Sequence, residues 1–251
     1  MFRRPVSFLF SPFMPLPMRV SVIIPALNEE KNIEATLQSI RRQNYRHPIE
    51  LIVADGHSTD KTVSIAKKYC DAVVQETTHT IAAGRQAGAR AAHGELLLYT
   101  DADTLVDKDW VRNMAAAFDD ERVAAAFGMI QPKEATGVEH FILTWGVYSM
   151  AAIFNALGTD YTYGNNMALR KTAFDKIGGF NIYLVTGEDT EIFQRVRHAG
   201  RVVFVPGAVA HYSIRRIRDW GYPRYLWFHT KNFFMTQLFK RPAQHYSPVR
   251  K

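Results

Sequence analysis

Strand and helix patterns alternate four times along the first half of the chain, and few architectures accommodate that order. The β-branched run "VSVIIP" (20–25) reads as a buried strand. In "NEEKNIEATLQSIRRQ", Ile33, Leu37 and Ile40 keep helical spacing, and Asn28 stands where a cap would start the helix. "IELIVAD" (49–55) is a second strand, and "STDKTVSIAKKY" a second helix capped by Ser58 or Thr59. "DAVVQ", the Ala-rich "TIAAGRQAGARAAHG" and "ELLLYTD" complete the alternation. A helix with Trp110, Met114 and Phe118 on one face follows, then "RVAAAFGMI". This order predicts an α/β domain with a mainly parallel sheet covered by helices on both faces. Ligands of such sheets bind beyond the C-terminal ends of the strands. Pro25-Ala26-Leu27-Asn28, Asp55-Gly56-His57 and Asp101-Ala102-Asp103 all fall there.

The second half is less regular. No Asp, Glu, Lys or Arg occurs between His140 and Thr159, and "FILTWGVYSMAAIFNALG" is apolar around the whole helix. Such a helix is buried in protein or touches lipid. Thr144, Gly146, Ser149 and Asn155 dilute it, which argues against a membrane span. The net charge of +7 favours anionic partners. Much of it lies beyond Tyr212, where Arg and Lys residues outnumber a single acid, Asp219. Cys70 is the only cysteine, so no intrachain disulfide forms. Residues 1–17 carry four prolines and no small-residue cleavage site, so they read as a disordered leader or a misassigned start, not a signal peptide.

Asp101 and Asp103 carry the first chemical signal. Residues i and i+2 of an extended segment face the same side, so the two carboxylates can meet one object. Unpaired they would repel. A hard divalent cation, Mg²⁺ or Mn²⁺, resolves this with oxygen ligands shared between carboxylates and substrate phosphates. A solvated turn is the alternative, since Asp is common in turns.

Five pieces taken together resemble family 2 glycosyltransferases, which have the GT-A fold. They are "VSVIIPALNEEKNI", "IVADGHSTDKT", "AAGRQAGARAAHGELLLYTDADT", "YGNNMALRKTAFDKIGGF" and "GEDTEIFQRVRHAG". The resemblance implies a single GT-A domain at 18–212, with a nucleotide-binding half at 18–104 and an acceptor half at 105–212. A basic, aromatic, amphipathic helical tail follows at 213–251. It implies a nucleotide-sugar donor, a UDP- or GDP-sugar, and inversion at the anomeric carbon. Asp101 and Asp103 match the DxD motif that holds Mg²⁺ or Mn²⁺ on the donor diphosphate, with Ala102 between them. Pro25, Leu27 and Glu29 fall in the segment that lines the nucleotide, and Asp55 matches the residue that contacts the base. Arg85 matches an arginine found near the base or diphosphate; its alternative is an exposed helix residue.

Asp189 matches the family's general base in the "ED" motif. Helix-start acids also complement the macrodipole, which is the plainer account of Glu188, Asp189 and Glu191. Glu188 is a candidate to orient the acceptor or to cap. Asn165 and Asn166 are acceptor-side candidates that would otherwise satisfy loop backbone. His211 stands where some relatives supply a metal ligand, with a structural histidine as the alternative. "RRIRDW" (215–220) resembles the QxxRW motif of processive members, but Arg215 replaces the glutamine, which puts processivity in doubt. Arg218 remains a candidate for the diphosphate.

Other classes fit less well. A sugar-nucleotidyltransferase needs a Gly-rich basic loop after the first strand, and "PALNEE" is neither. A dehydrogenase needs GxGxxG there. A non-catalytic, membrane-docked nucleotide-sugar-binding protein would not need to keep both "DAD" and "ED". No nucleic-acid-binding motif accompanies the charge. The acceptor is expected to be a hydroxyl or phosphate, with a lipid-linked polyprenyl phosphate as one candidate. The tail carries Trp220, Tyr222, Tyr225, Trp227, Phe228, Phe233, Phe234 and Phe239 among Arg224, Lys231, Lys240 and Arg241. That mixture suits a cytoplasmic enzyme docked on the inner face of a membrane, or equally a tail packed on its own core or in a dimer.

Overall fold

A computed structural model describes residues 18–156 and 162–239. The expected leader at 1–17, and Lys240 and Arg241 of the tail, lie outside the described residues. The first half alternates as the sequence predicts: β1 (Val20–Ala26), α1 (Ile33–Arg41), β2 (Ile49–Asp55), α2 (Thr62–Ala66), β3 (Ala72–Gln75), α3 (Ile81–Ala91) and β4 (Leu96–Tyr99). Then come β5 (Leu105–Val106), α4 (Trp110–Ala116), β6 (Val123–Pro132), α5 (Gly137–Ala156), β7 (Met167–Arg170) and α6 (Lys171–Lys176). The chain continues through α7 (Glu188–Val196), β8 (Arg201–Tyr212), α8 (Arg215–Trp220) and α9 (Tyr222–Phe239).

The strands form one sheet in the order β3-β2-β1-β4-β7-β6-β8-β5. β1 through β4 pair in parallel, the arrangement that helical crossovers between strands allow. β7 then inserts antiparallel between β4 and β6, and β5 closes the far edge antiparallel to β8. The fold is a mixed α/β domain of GT-A type.

Side-chain alternation builds two cores. Val22, Ile24, Leu51, Val53 and Leu98 point to one face and pack with Leu37, Trp110 and Phe118. Ile23, Ile52, Leu97 and Tyr99 point to the other and pack with Ala82, Ala89, Phe174, Phe180 and Phe193. Burial on both faces explains why these strands read as unbroken apolar runs.

Two expected caps differ. α1 begins at Ile33, and Asn28 instead adopts φ 52 in the preceding loop. There its Oδ1 accepts from Thr59 N at 2.8 Å, and its own N–H donates to Ser58 Oγ at 2.9 Å. Asn28 and Ser58 thus tie the β1 and β2 loops together instead of capping helices. At α3 the cap is regular: Thr80 Oγ1 accepts from Ala83 N at 3.0 Å.

Candidate active site

The ends of β1, β2 and β4 meet at one edge of the sheet, and two arginines organise the carboxylates there. Arg85 projects from α3 and is only 2% exposed. Its guanidinium pairs with Glu188 at the start of α7, and its Nη2 donates to Asp101 Oδ1 at 3.0 Å. A guanidinium so buried requires such anionic partners. Arg85 therefore joins the end of β4 to the start of α7, and is not an exposed helix residue. Gly164 makes this possible: a Cβ there would collide with the Arg85 guanidinium.

Asp189 stands beside this pair. Its Oδ2 accepts from Gly164 N at 2.9 Å, and its Oδ1 from Thr190 N at 2.7 Å. Burial raises the Asp189 carboxyl above its ordinary range, against the Arg85 charge that favours ionisation. Glu188 is raised by burial too, again opposed by Arg85. The turn into α7 runs through Gly187 at φ 73, so the acids follow a left-handed residue. Helix-start acids stabilise α7, yet here Glu188 also reaches across to another helix.

Asp103 faces the second arginine. Arg215 Nη2, at the start of α8, lies 3.1 Å from Asp103 Oδ2 and 2.9 Å from Glu29 Oε1. Burial, reinforced by the charges of Asp101 and Glu29, raises the Asp103 carboxyl to about 6. Ala102 is buried, and its carbonyl accepts from Thr36 Oγ1 at 2.9 Å, fixing the turn that aims the two aspartates. Pro25 and Leu27 are half-buried on the β1 side. Asp55 is fully buried, with both carboxylate oxygens accepting from Ser58 N at 3.1 and 3.3 Å. It fixes the loop after β2 and presents no surface of its own.

Three further expected residues have structural partners. His211 Nε2 pairs with Asp107 Oδ1 at 2.9 Å where β8 meets β5. Among the described residues no group of three or more His, Cys, Asp and Glu side chains is arranged to hold a metal. Arg218 points toward α5, donating to Glu134 O and Glu139 Oε2 at 3.1 Å each. On a short helix, residues three apart leave on nearby but different directions, and it is Arg215 that reaches Asp103. Asn166 is fully buried and spends its amide on structure. Its Oδ1 accepts from Trp110 Nε1 at 2.7 Å, and its Nδ2 donates to Met129 O and Ala208 O at 2.7 and 2.9 Å. Neighbouring Asn165 differs: its Oδ1 is buried without a hydrogen-bond partner.

The sheet and this carboxylate–arginine edge define a GT-A-type domain with a built anionic site. Residues 21–185 match the family described as Glycosyl transferase family 2, and the chain belongs to that family. It is 33% identical over 139 residues to an N-acetylglucosaminyltransferase of Azorhizobium caulinodans, covering 51% of this chain and 34% of that protein. A probable glycosyltransferase of Bacillus subtilis, YdaM, is 26% identical over 248 residues, covering 88% of this chain and 58% of its own. Among solved structures, the Pyrobaculum calidifontis mannosyltransferase PcManGT, in complex with GDP-Man and Mn²⁺, superposes with TM-score 0.66. That match is 22% identical and covers 92% of this chain and 67% of the other. Staphylococcus aureus TarS superposes with TM-score 0.62 at 19% identity, over 88% of this chain and 40% of the other. The chain thus spans about a third of the Azorhizobium relative and somewhat over half of YdaM.

Proposed function

We propose that this protein is a metal-dependent, inverting glycosyltransferase that moves a sugar from a UDP- or GDP-sugar to a hydroxyl or phosphate acceptor. The observation that carries the reading is the buried Arg85, which pairs with Asp101 and with Glu188, the sequence neighbour of Asp189. The reading takes Asp101 and Asp103 as the donor-side pair and Asp189 as the acceptor-side base. It accords with solved neighbours whose complexes contain UDP-GlcNAc or GDP-Man with Mn²⁺.

Asp101 and Asp103 suit Mg²⁺ or Mn²⁺ in donor chemistry: both are carboxylates, and each already faces a cation, one Arg85 and the other Arg215. When bound, such an ion supplies Lewis-acid neutralisation of the leaving diphosphate. Pro25, Leu27 and Glu29, with the loop held by Asp55, line the nucleotide. Asp189 takes the proton from the acceptor O–H. The acceptor oxygen then bonds to the anomeric carbon from the face opposite the diphosphate. The bond from that carbon to the phosphate oxygen breaks, and the nucleoside diphosphate leaves with its electron pair. A buried carboxylate with a raised pKa is the stronger base for this step. Glu188 and Asn165 orient the acceptor. The test is turnover of UDP- and GDP-sugars with Mn²⁺ against EDTA. Metal-dependent release of one nucleoside diphosphate supports the reading; donor binding without any turnover would favour a binding protein.

One observation favours a lipid-linked acceptor, such as a polyprenyl phosphate, and docking on an anionic membrane surface. α5 turns its apolar side outward: Val138, Phe141, Ile142 and Trp145 keep helical spacing and are 58–73% exposed. α9 adds exposed Tyr222, Leu226 and Trp227, and Tyr222 Oη bonds Glu139 of α5, so the two helices share a surface. Exposed Arg224 and Lys231 flank it with positive charge. Aromatic rings beside basic residues match a headgroup interface. No helix among the described residues is long and apolar enough to cross a membrane. Co-sedimentation with anionic vesicles at low salt, lost on Trp145→Glu/Trp227→Glu, supports docking. Equal recovery with and without vesicles overturns it, as does dimerisation that the same substitutions abolish.

A further inference from the structure

Arg215 stands at the start of α8. It leaves α8 to bridge two acids from different strand ends: Glu29 after β1 and Asp103 after β4. Glu29 is buried, its Oε2 also accepting from Asn32 Nδ2 at 2.8 Å, so this end of the bridge is fixed. Asp103 is partly open, with a quarter of its side chain exposed. The guanidinium is itself about one third exposed, on a six-residue helix bounded by Gly221 at φ 76. Both Nη atoms meet the buried Glu29, and Nη2 is shared with Asp103, a carboxylate that the proposed reaction needs for a metal.

We propose that Arg215 is the exchangeable counter-ion of the donor site, a positioning residue that makes metal and nucleotide bind together. The inference rests on the metal-dependent reading of Asp101 and Asp103. With no donor present, Arg215 neutralises Asp103 and opposes a metal ion arriving alone. Two cations cannot share one carboxylate at hydrogen-bond distance without repulsion. When a metal arrives with a diphosphate, the fork that leaves Asp103 meets a new anion. Guanidinium groups bind phosphate oxygens in the same bidentate manner as carboxylates. Glu29 keeps its hold on the guanidinium throughout, so only the contact to Asp103 is exchanged. The consequence is positive coupling between metal and nucleoside diphosphate, reciprocal by linkage. The glutamine of the processive pattern carries no charge and could not act so, which gives the departure at position 215 a physical meaning.

The test is Mn²⁺ titration of the full chain followed by the electron paramagnetic resonance of free Mn²⁺, without nucleotide and then with saturating UDP or GDP. Arg215→Gln is expected to bind Mn²⁺ alone about tenfold more tightly than wild type, a step of about 1.4 kcal/mol. Nucleotide should then strengthen its Mn²⁺ binding less than it does in wild type. Arg215→Lys keeps the charge without the fork. It should bind Mn²⁺ alone as weakly as wild type, yet show the reduced nucleotide coupling. Asp103→Ala separates the two levels of the argument. If it loses Mn²⁺ binding while Arg215→Gln matches wild type in both titrations, the counter-ion role is wrong and the metal site stands. If Asp103→Ala binds Mn²⁺ as wild type does, the metal reading itself falls and this inference with it.

Discussion

At the scale of single residues, the site separates groups that share a motif. Asp189 and Glu188 are adjacent, yet only Glu188 pairs with Arg85, while Asp189 is held by backbone N–H groups of Gly164 and Thr190. In the proposed reaction Asp189 takes the acceptor proton, which the neutral amide of Asn could not. Asp189→Asn is expected to bind donor nearly normally and to lose turnover by about a hundredfold or more, as single-turnover assays would register. Wild-type turnover in that variant would place the base elsewhere. Asn166 makes the opposite case. Replacing it with Leu would strand the Trp110 indole N–H and two carbonyls in the core. At about 1–3 kcal/mol for each buried group left unmade, Asn166→Leu should cost about 3 kcal/mol or more in a denaturant titration. A stability equal to wild type, with only acceptor binding impaired, would restore the acceptor role that the sequence suggested.

Elements impose their own behaviour on the residues they carry. α9 holds His229 against Tyr225 and Phe228, with ring centroids at 4.3 and 5.4 Å. Burial first, and the charge of Arg216 second, lower the His229 pKa from 6.5 to about 4. The unfolded chain takes up that proton near 6.5 and the folded chain does not until about 4. This contribution is therefore fully present above 6.5 and is lost progressively as pH falls toward 4. His229→Phe removes the proton site and keeps an apolar ring. Its melting temperature should fall less than that of wild type between about pH 7.5 and about pH 5. Parallel curves would mean that His229 takes up its proton at the same pH in the folded and the unfolded chain.

Across the whole molecule, what was legible in the sequence was what local pattern controls. β1 to β4 and their helices could be read because each strand is buried on both faces and each helix keeps its apolar spacing. The strand-end positions of Asp55, Asp101 and Asp103 followed from that order. The insertion of antiparallel β7 between β4 and β6 was not legible, since strand order depends on contacts far apart in sequence. Nor was the role of Arg215. Its importance lies in Glu29 and Asp103, which are distant along the chain. The one local signal was its place in a motif that elsewhere carries glutamine. The partners of His211 and Arg218 were not legible for the same reason: position along a motif does not fix direction, and here they pair with Asp107 and Glu139. α5 read correctly as apolar, but only the fold decides which side it turns outward.

The central claim is that a nucleoside diphosphate is held at the end of β4 through a divalent metal on Asp101 and Asp103. Calorimetric titration of UDP and of GDP into wild type and Asp103→Ala, each with Mn²⁺ and with EDTA, tests it most directly. The account predicts that one nucleotide binds wild type at least about tenfold more tightly with Mn²⁺, a gain of about 1.4 kcal/mol or more, and that Asp103→Ala abolishes the gain. Equal affinity with and without Mn²⁺ in wild type, or an undiminished Mn²⁺ effect in Asp103→Ala, would contradict it.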